Sequence, residues 1–317
     1  MYYYGMDIKS AKPKLNVSEQ IAHMKESGIT FKYVTEKDAE KYLSENTYYF
    51  KLKAYSKNYQ QRKSDSSRKA SYIGLDFSYL QDLARLDMYF REIIFKITVD
   101  IEHLLKVQLL SFSQKDDKDD GYKVVEDFLE KNSDIKDNLN KHSTSGYNSA
   151  LIQKYQSCYP IWVFVEVISF GDLIKFYEFY TKTFSINNNV SKYLWSARIL
   201  RNAAAHNSCI LNRLAEKYDN DKKINNSLMS YLKINYSSLN SRQTKQYLLN
   251  PVIQDFIDIL VLFKRLDKSR NLLNKRMKEF EYFLKRCRRH ASYYKNNTVL
   301  LSTYKFIYKF YKEYKNK

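Results

Sequence analysis

Residues 77–113, FSYLQDLARLDMYFREIIFKITVDIEHLLKVQLLSFS, form the longest periodic stretch of this chain. Apolar side chains recur there at steps of three and four residues, at Leu80, Leu83, Leu86, Phe90, Ile94, Ile97, Ile101, Leu104 and Leu105. This spacing is typical of one long helix that turns an apolar face towards a core. The chain has only 6 Gly and 3 Pro among 317 residues, so few turns are obligatory. The sequence therefore predicts an all-α protein.

The sequence before the long helix predicts shorter helices and a loop. Ser18 is the predicted N-cap of a helix through Lys25, and Thr35 opens the next helix. Residues 61–71 are polar and rich in serine and basic residues, which predicts a loop. The chain is divided into an N-terminal helical segment (1–70), a helical core (71–215) and a basic C-terminal helical region (216–317).

Beyond the long helix, polar and apolar stretches alternate. Residues 132–148 are too polar to bury much surface, and residues 217–250 are polar and rich in asparagine and serine. Residues 191–214 are predicted to form one continuous helix. Pro251 begins an apolar helix, and a final basic and aromatic helix begins near Leu300.

The predicted helix at 191–214 contains RNAAAHN, residues 201–207. Arg201 is a permanent planar cation suited to phosphate, and His206 carries an imidazole that can act as an acid or a base near neutral pH. Asn202 and Asn207 can orient the imidazole or the scissile group. Cleavage of RNA without a metal needs a base for the 2′-hydroxyl, an acid for the departing 5′-oxygen and positive charge beside the phosphate. These four residues are therefore the catalytic candidates.

An intact helix separates the two principal candidates. Asn202 and His206 share a face, with Arg198 one turn earlier, whereas Arg201 lies about 140° around the helix from His206. The pair can meet if the helix bends or ends near the motif, if the arginine wraps around the helix, or if two copies meet across a twofold axis. The plainer alternative is that His206 is a packed histidine and Arg201 a salt-bridge partner.

Several further stretches resemble one family. RNAAAHN is similar to the R-x4-6-H motif, with Asn after Arg, of the HEPN nuclease superfamily of small α-helical, metal-independent ribonucleases. The wider chain resembles the Abi-like abortive-infection proteins of the AbiD and AbiF type. The similar stretches are LNVSEQIAHMKESGI (15–29), AEKYLSENTYYFKLKAY (39–55), LARLDMYFREIIFKITVDIE (83–102) and IWVFVEVISFGDLIKFYE (161–178), in the family's order. The third of them is similar to the family pattern L-Y-x-F-D-x-x-L-R.

This resemblance implies a fold and an activity. The implied fold is a HEPN-type helical bundle with additional N- and C-terminal helices. The implied activity is a guarded, metal-independent endoribonuclease that defends against bacteriophage. Arg201 and His206 then take the nuclease roles, while Glu102 and Glu166 pack or orient the motif helix. A noncoding RNA accompanies some related proteins, so a regulatory RNA partner is expected.

The chain departs from the family pattern at two positions and contains one motif. Lys51 stands where the pattern has arginine, and Ile174 stands where it has serine. Only one R-x4-H spacing is present, because Arg286 precedes His290 by four residues instead of five. A site built from two motifs therefore requires a homodimer.

Positive charge is concentrated near the C-terminal end. The chain has 54 Lys and Arg against 35 Asp and Glu, a net charge of +19, and residues 264–317 contribute 17 against 4, a net of +13. Such a segment attracts polyanions. The predicted RNA-binding residues are Lys285, Arg286, Arg288, Arg289 and Arg198. A solvated basic helix with a buried aromatic stripe is the plainer alternative, and a membrane-surface helix is another.

Composition also limits compartment and cofactors. The three cysteines are dispersed without zinc-ligand spacing, which fits a reducing cytoplasm and predicts neither a disulfide nor a metal site. No apolar run reaches the roughly 18 residues of a membrane span. We predict a cytoplasmic, homodimeric endoribonuclease without a cofactor or a membrane partner. The alternatives are a non-catalytic protein that holds a structured partner RNA and, with less support, a membrane-active toxin.

Overall fold

A computed structural model describes residues 13–63, 70–144, 146–220, 223–236 and 238–316. Within these residues the chain forms fifteen α-helices and one two-stranded antiparallel sheet, which confirms the all-α prediction. The helices are α1 (Val17–Glu26), α2 (Glu36–Glu45), α3 (Tyr49–Ala54), α4 (Phe77–Ser113), α5 (Lys123–Lys131), α6 (Ser133–His142), α7 (Ser149–Tyr155), α8 (Ile161–Val167), α9 (Phe170–Thr183), α10 (Ser191–Ala205), α11 (Asn226–Asn235), α12 (Ser241–Leu248), α13 (Pro251–Leu266), α14 (Asn271–Cys287) and α15 (Thr298–Lys315). The strands are β1 (Gln61–Lys63) and β2 (Ala70–Tyr72).

Helix α4 begins and ends where its periodicity predicts. Asp76 caps its first turn, because one carboxylate oxygen accepts a hydrogen bond from the Ser78 amide at 3.0 Å. The other oxygen accepts from the Thr30 hydroxyl at 2.7 Å and the Lys32 amide at 2.8 Å. The cap therefore also holds the N-terminal segment against the start of α4.

The centre of the molecule is formed by α4, α10 and α13, which contact one another, with α14 packed along α4. Residues 256–263 of α13 are all buried, as expected for a helix enclosed on every side. Burial of each leucine, isoleucine or phenylalanine side chain contributes about 1.5–3 kcal/mol before entropy is counted. One continuous core runs from Ile21 in α1 to Tyr314 in α15. The division at residues 70 and 215 stays a prediction.

Several local predictions were wrong, mostly in segments that are polar in overall composition but bury a few apolar side chains. Asn16, not Ser18, caps α1, and it forms a capping box with Glu19. Residues 132–148, predicted to bury little, contain α6, which buries Ile135 and Leu139. The polar stretch 217–250 contains α11 and α12. The predicted loop at 61–71 carries β1 and β2 at its ends, and residues 64–69 lie outside the described residues.

No single helix in the described ranges is long and apolar enough to cross a membrane. One pair, α12 with α13, passes that test jointly by length and composition, and the two helices meet at an angle of 110°.

Candidate active site

The motif helix α10 ends within the motif. Its last helical residue is Ala205, and His206 follows as the C-cap residue. Asn207 has a left-handed φ of 54°. The amides of Asn207 and Ser208 donate back into the last turn at 3.1 and 2.9 Å, which is a Schellman termination. The predicted continuous helix over 191–214 is therefore wrong, and Asn207 was the available signal, since asparagine tolerates left-handed backbone better than most residues.

This termination leaves His206 exposed and Arg201 half-buried. The imidazole of His206 makes no hydrogen bond with a described residue. The Arg201 Nη1 atom lies 3.5 Å from Asn202 Oδ1. The Arg201 Nε atom is buried and has no hydrogen-bond partner among the described residues. Within one chain, Arg201 and His206, the two principal catalytic candidates, therefore form no hydrogen bond with each other.

The backbone just beyond the motif is fixed by Asp87, a fully buried carboxylate of α4. Its Oδ1 atom accepts hydrogen bonds from the amides of Ile210 and Leu211 at 3.1 and 2.8 Å. Its Oδ2 atom accepts from the Tyr55 hydroxyl at 2.7 Å and pairs with Arg91, one helical turn further along α4. These donors offset the cost of removing the carboxylate from water. The segment after His206 is therefore firmly held.

The electrostatics of this cluster follow from its burial. Burial raises the pKa of Asp87, and the Arg91 guanidinium opposes the rise. Burial also raises the pKa of the Tyr55 hydroxyl and of the Cys209 thiol. Tyr55 therefore stays protonated near neutral pH and remains a hydrogen-bond donor to Asp87.

Lys51 and Asn58 hold the same turn from the N-terminal segment. The Lys51 ammonium donates to the Asn207 carbonyl at 2.8 Å, and the Lys51 carbonyl accepts from the Cys209 thiol at 3.7 Å. The Asn58 side-chain Nδ2 donates to the Leu211 carbonyl at 2.7 Å. Burial lowers the pKa of Lys51. Lys51 thus retains a cation at the position where the family pattern has arginine, and this cation binds the turn that ends α10.

A second attachment joins α10 to α13, through a hydroxyl that lies between two acids. The Ser196 hydroxyl lies 2.8 Å from Asp255 Oδ1 and 2.9 Å from Asp258 Oδ2. One hydroxyl proton can satisfy only one of these oxygens, so both hydrogen bonds form when one carboxyl is protonated. Burial raises the pKa of Asp255 to about 6 and that of Asp258 to about 7, which favours this protonated form. Two separate attachments therefore fix α10.

The match to a known family covers the motif and the residues that hold its turn, but not the two acids of α13. The sequence model of the Abi-like protein family matches residues 41–212 of this chain. This chain belongs to the Abi-like protein family. No curated protein and no solved structure matches it. The membership indicates a role in abortive-infection defence.

The supports of the turn are the residues that sequence reasoning missed in this Abi-like protein. Asp87 and Arg91 stand at the D and R of the similar stretch 83–102, yet the sequence assigned no role to them. The available signal was an acid and a base four residues apart on the otherwise apolar face of α4. Their partners, the amides of Ile210 and Leu211, carry no side-chain signal in the sequence.

Arg198 is oriented by a glycine at the start of α9. A Cβ atom added to Gly171 would lie 3.1 Å from the Arg198 Nε atom, so a larger residue would displace the guanidinium. The guanidinium also stacks on the Trp195 ring at 5.1 Å. Gly171, which lies in the similar stretch 161–178, therefore makes room for Arg198.

Glu102 and Glu166 do not contact the motif residues. Glu102 is half-buried on α4 and forms no ion pair or hydrogen bond with a described residue. Glu166 is exposed and lies 3.4 Å from Lys106, so it joins α8 to α4. Support of the motif helix by these two residues therefore stays a prediction.

The C-terminal cations lie outside the matched region and divide into two groups. Lys285, Arg288 and Arg289 are exposed, and Lys285 lies 3.3 Å from Glu281. Arg286 is only 8% exposed, and its Nη2 atom lies 3.8 Å from Asp82 Oδ1. Arg286 is therefore not available for the RNA binding that was predicted for it, because its neighbours bury it inside the fold beside an acid.

The carboxylate, imidazole and thiol side chains of the described ranges do not cluster as metal ligands would. No group of three or more His, Cys, Asp or Glu side chains there is arranged to hold a metal ion. Cys158, Cys209 and Cys287 are free thiols.

Proposed function

We propose that this Abi-like protein is a metal-independent endoribonuclease that acts in abortive-infection defence. The observation that supports this function best is the contrast at the end of α10. Asp87, Lys51 and Asn58 fix the backbone at 207–211, whereas His206 faces solvent. A histidine with only a packing role is expected to be covered. An exposed imidazole on a fixed turn is suited to proton transfer.

The proposed reaction is a transesterification within RNA. A base removes the proton of a 2′-hydroxyl, and the resulting oxygen attacks the adjacent phosphorus. The bond to the 5′-oxygen breaks as an acid protonates that oxygen, which leaves a 2′,3′-cyclic phosphate and a 5′-hydroxyl. His206 exchanges protons in this scheme, and Arg201 stabilises the negative charge that develops on the phosphate oxygens. Asn202 orients the scissile group, and Asn207 acts through its backbone conformation.

The active form is proposed to be a homodimer in which two copies of α10 meet. Trp195, Ile199, Asn202 and His206 share one face of α10, at steps of four, three and four residues. Trp195 is 61% exposed and Ile199 is 42% exposed, which is unusual for large apolar side chains side by side on one helix. A second copy would cover this face and bring a second Arg201 near the first His206.

RNA is proposed to bind along cations at the surface. Lys285, Arg288 and Arg289 supply exposed positive charge at the end of α14, and the half-buried Arg198 supplies it beside the motif. Arg286 is omitted because it is buried. A regulatory noncoding RNA can use the same positive surface, and the intact protein purified with a discrete RNA would support that part of the proposal.

One observation favours a second function. Arg201 and His206 form no direct contact within one chain, as expected if the motif were only structural. The alternative is a non-catalytic protein that holds a structured partner RNA on its basic C-terminal region. RNA binding fits both functions, so only turnover separates them.

The deciding experiment is cleavage of a mixed RNA pool in EDTA by purified protein freed of nucleic acid. Wild type is compared with His206→Ala and with His103→Ala, a matched control because His103 is an exposed histidine of α4. We expect products ending in 2′,3′-cyclic phosphate from wild type and the control, and none from His206→Ala. Equal cleavage by all three proteins would exclude His206 as the catalyst, and intact RNA with tight binding in all three would favour the RNA-holding protein.

A further inference from the structure

A cavity of about 310 Å³ lies where the long helix meets the C-terminal helices. Side chains of α4, α13, α14 and α15 line it, together with Leu211 and Leu214 from the segment after the motif. Leu86, Phe90 and Phe256 are typical of its lining. Its volume falls at the lower end of the roughly 300–1,000 Å³ common for small-molecule sites, and an apolar cavity of roughly half this size is enough to hold benzene.

The polar groups inside this cavity are already satisfied or neutral. The Tyr294 hydroxyl donates to Asp82 at 2.7 Å, and the Tyr304 hydroxyl donates to the Leu284 carbonyl at 3.3 Å. Burial raises the pKa of the Cys287 thiol to about 12, so this group stays uncharged. The interior therefore favours an apolar occupant and makes little demand for hydrogen bonds.

The charged groups of the lining have a single sign. They are Arg288 and Lys305, and no acidic side chain among the described residues lines the cavity. Both are exposed, so they mark the part of the lining that reaches solvent. Neither forms an ion pair with another residue in the described ranges. An apolar cavity with two available cations at its solvent-facing side is complementary to a molecule with an apolar body and one negative end.

We propose that this cavity binds an amphipathic anion of the aliphatic carboxylate class. The alkyl chain lies among the apolar side chains, and the carboxylate lies between Arg288 and Lys305. Arg288 is also one of the cations proposed to bind RNA, but this proposal does not rest on the nuclease, because its test uses neither RNA nor His206. Leu211 and Leu214 form part of the wall, so a bound ligand would also contact the segment that Asp87 holds.

The test measures binding of decanoate to the full chain by calorimetry, below the concentration at which decanoate forms micelles. Decanol and decyltrimethylammonium are compared at the same ionic strength, because they keep the chain and change the head to neutral or positive. We expect one decanoate per chain, with at least tenfold weaker binding of both analogues. Hydrogen exchange should show slower exchange at 211–214 and 300–307 when decanoate is bound.

Variants locate the site. The double variant Arg288→Gln/Lys305→Gln should weaken decanoate binding at least tenfold, whereas Arg289→Gln, an exposed neighbour that does not line the cavity, should change it less than twofold. Val252→Phe should reduce binding by filling the cavity, with its thermal unfolding checked against wild type. No binding, equal binding of decanol, or equal loss in Arg289→Gln would each overturn the proposal.

Discussion

The Leu211 amide donates a 2.8 Å hydrogen bond to the Asp87 carboxylate, although 124 residues separate the two in the sequence. This bond, with its neighbour from Ile210, fixes the path of the backbone as it leaves the motif helix. Asp87 is therefore a positioning residue for His206, since it acts on the turn and does not reach the exposed imidazole.

Asp87→Asn should lower both stability and cleavage. The change removes the negative charge that Arg91 and the two amides require, and loss of one partner of a buried pair costs about 3–5 kcal/mol. Urea unfolding should show a loss of about 3 kcal/mol, and cleavage should fall more than RNA binding. Asp137→Asn, on an exposed position of α6, is the control and should change stability by less than about 0.5 kcal/mol. An unchanged unfolding curve for Asp87→Asn would contradict this role.

Lys51→Met should loosen the turn, whereas Lys51→Arg should preserve it. The methionine cannot donate to the Asn207 carbonyl, while arginine keeps a cation at the position where the family pattern has one. We expect Lys51→Met to lose about 1 kcal/mol of stability and to speed amide exchange at 207–209. Exchange as slow in Lys51→Met as in wild type would show that Lys51 does not hold the turn.

Substitutions at Asn207 separate its backbone role from a chemical one. Glycine adopts a φ of 54° freely, so Asn207→Gly should keep stability within about 0.5 kcal/mol and retain cleavage. A β-branched residue should be strained there, and Asn207→Val should lose about 1–2 kcal/mol. Normal stability without cleavage in Asn207→Gly would assign the side chain to the chemistry.

The acid pair on α13 should make stability depend on pH. The pKa of Asp258 is raised to about 7 in the folded protein, so its contribution is present at low pH and is lost as pH rises from about 4 through 7. Asp258→Asn should remove part of this dependence and become more stable than wild type at pH 8. Parallel stability–pH curves for wild type and variant between pH 4 and 8 would contradict the prediction.

The exposed face of α10 should control association. Trp195→Glu and Ile199→Glu each place a charge on the face proposed to meet a second copy, so sedimentation should show monomers and cleavage should fall. Tyr147→Glu is the control, because Tyr147 is a fully exposed aromatic side chain in the turn between α6 and α7 and not on α10. A wild-type protein that sediments as a monomer at all concentrations tested would contradict the dimer proposal.

The sequence predicted those parts of the fold that depend on local periodicity. Helix α4 follows from its apolar spacing, and α13 follows from Pro251 and the apolar run after it. The polar composition of their segments concealed α6, α11 and α12. Two or three apolar side chains suffice to hold a helix once a neighbouring element covers them. The early end of α10 was missed for a related reason, since its termination depends on a single residue in left-handed backbone and on distant hydrogen bonds.

By itself, the sequence determined the helical class of this protein and its family, and it supplied the motif that carries the proposed catalytic side chains. These properties depend on short-range spacing and on residue type, so they can be inferred without the tertiary structure. Only the tertiary structure decided that Asp87, Lys51 and Asn58 meet at residues 207–211 and that Arg286 is buried beside Asp82. The reason is that backbone amides and burial have no residue-specific signal, so their partners become visible only after distant segments pack together.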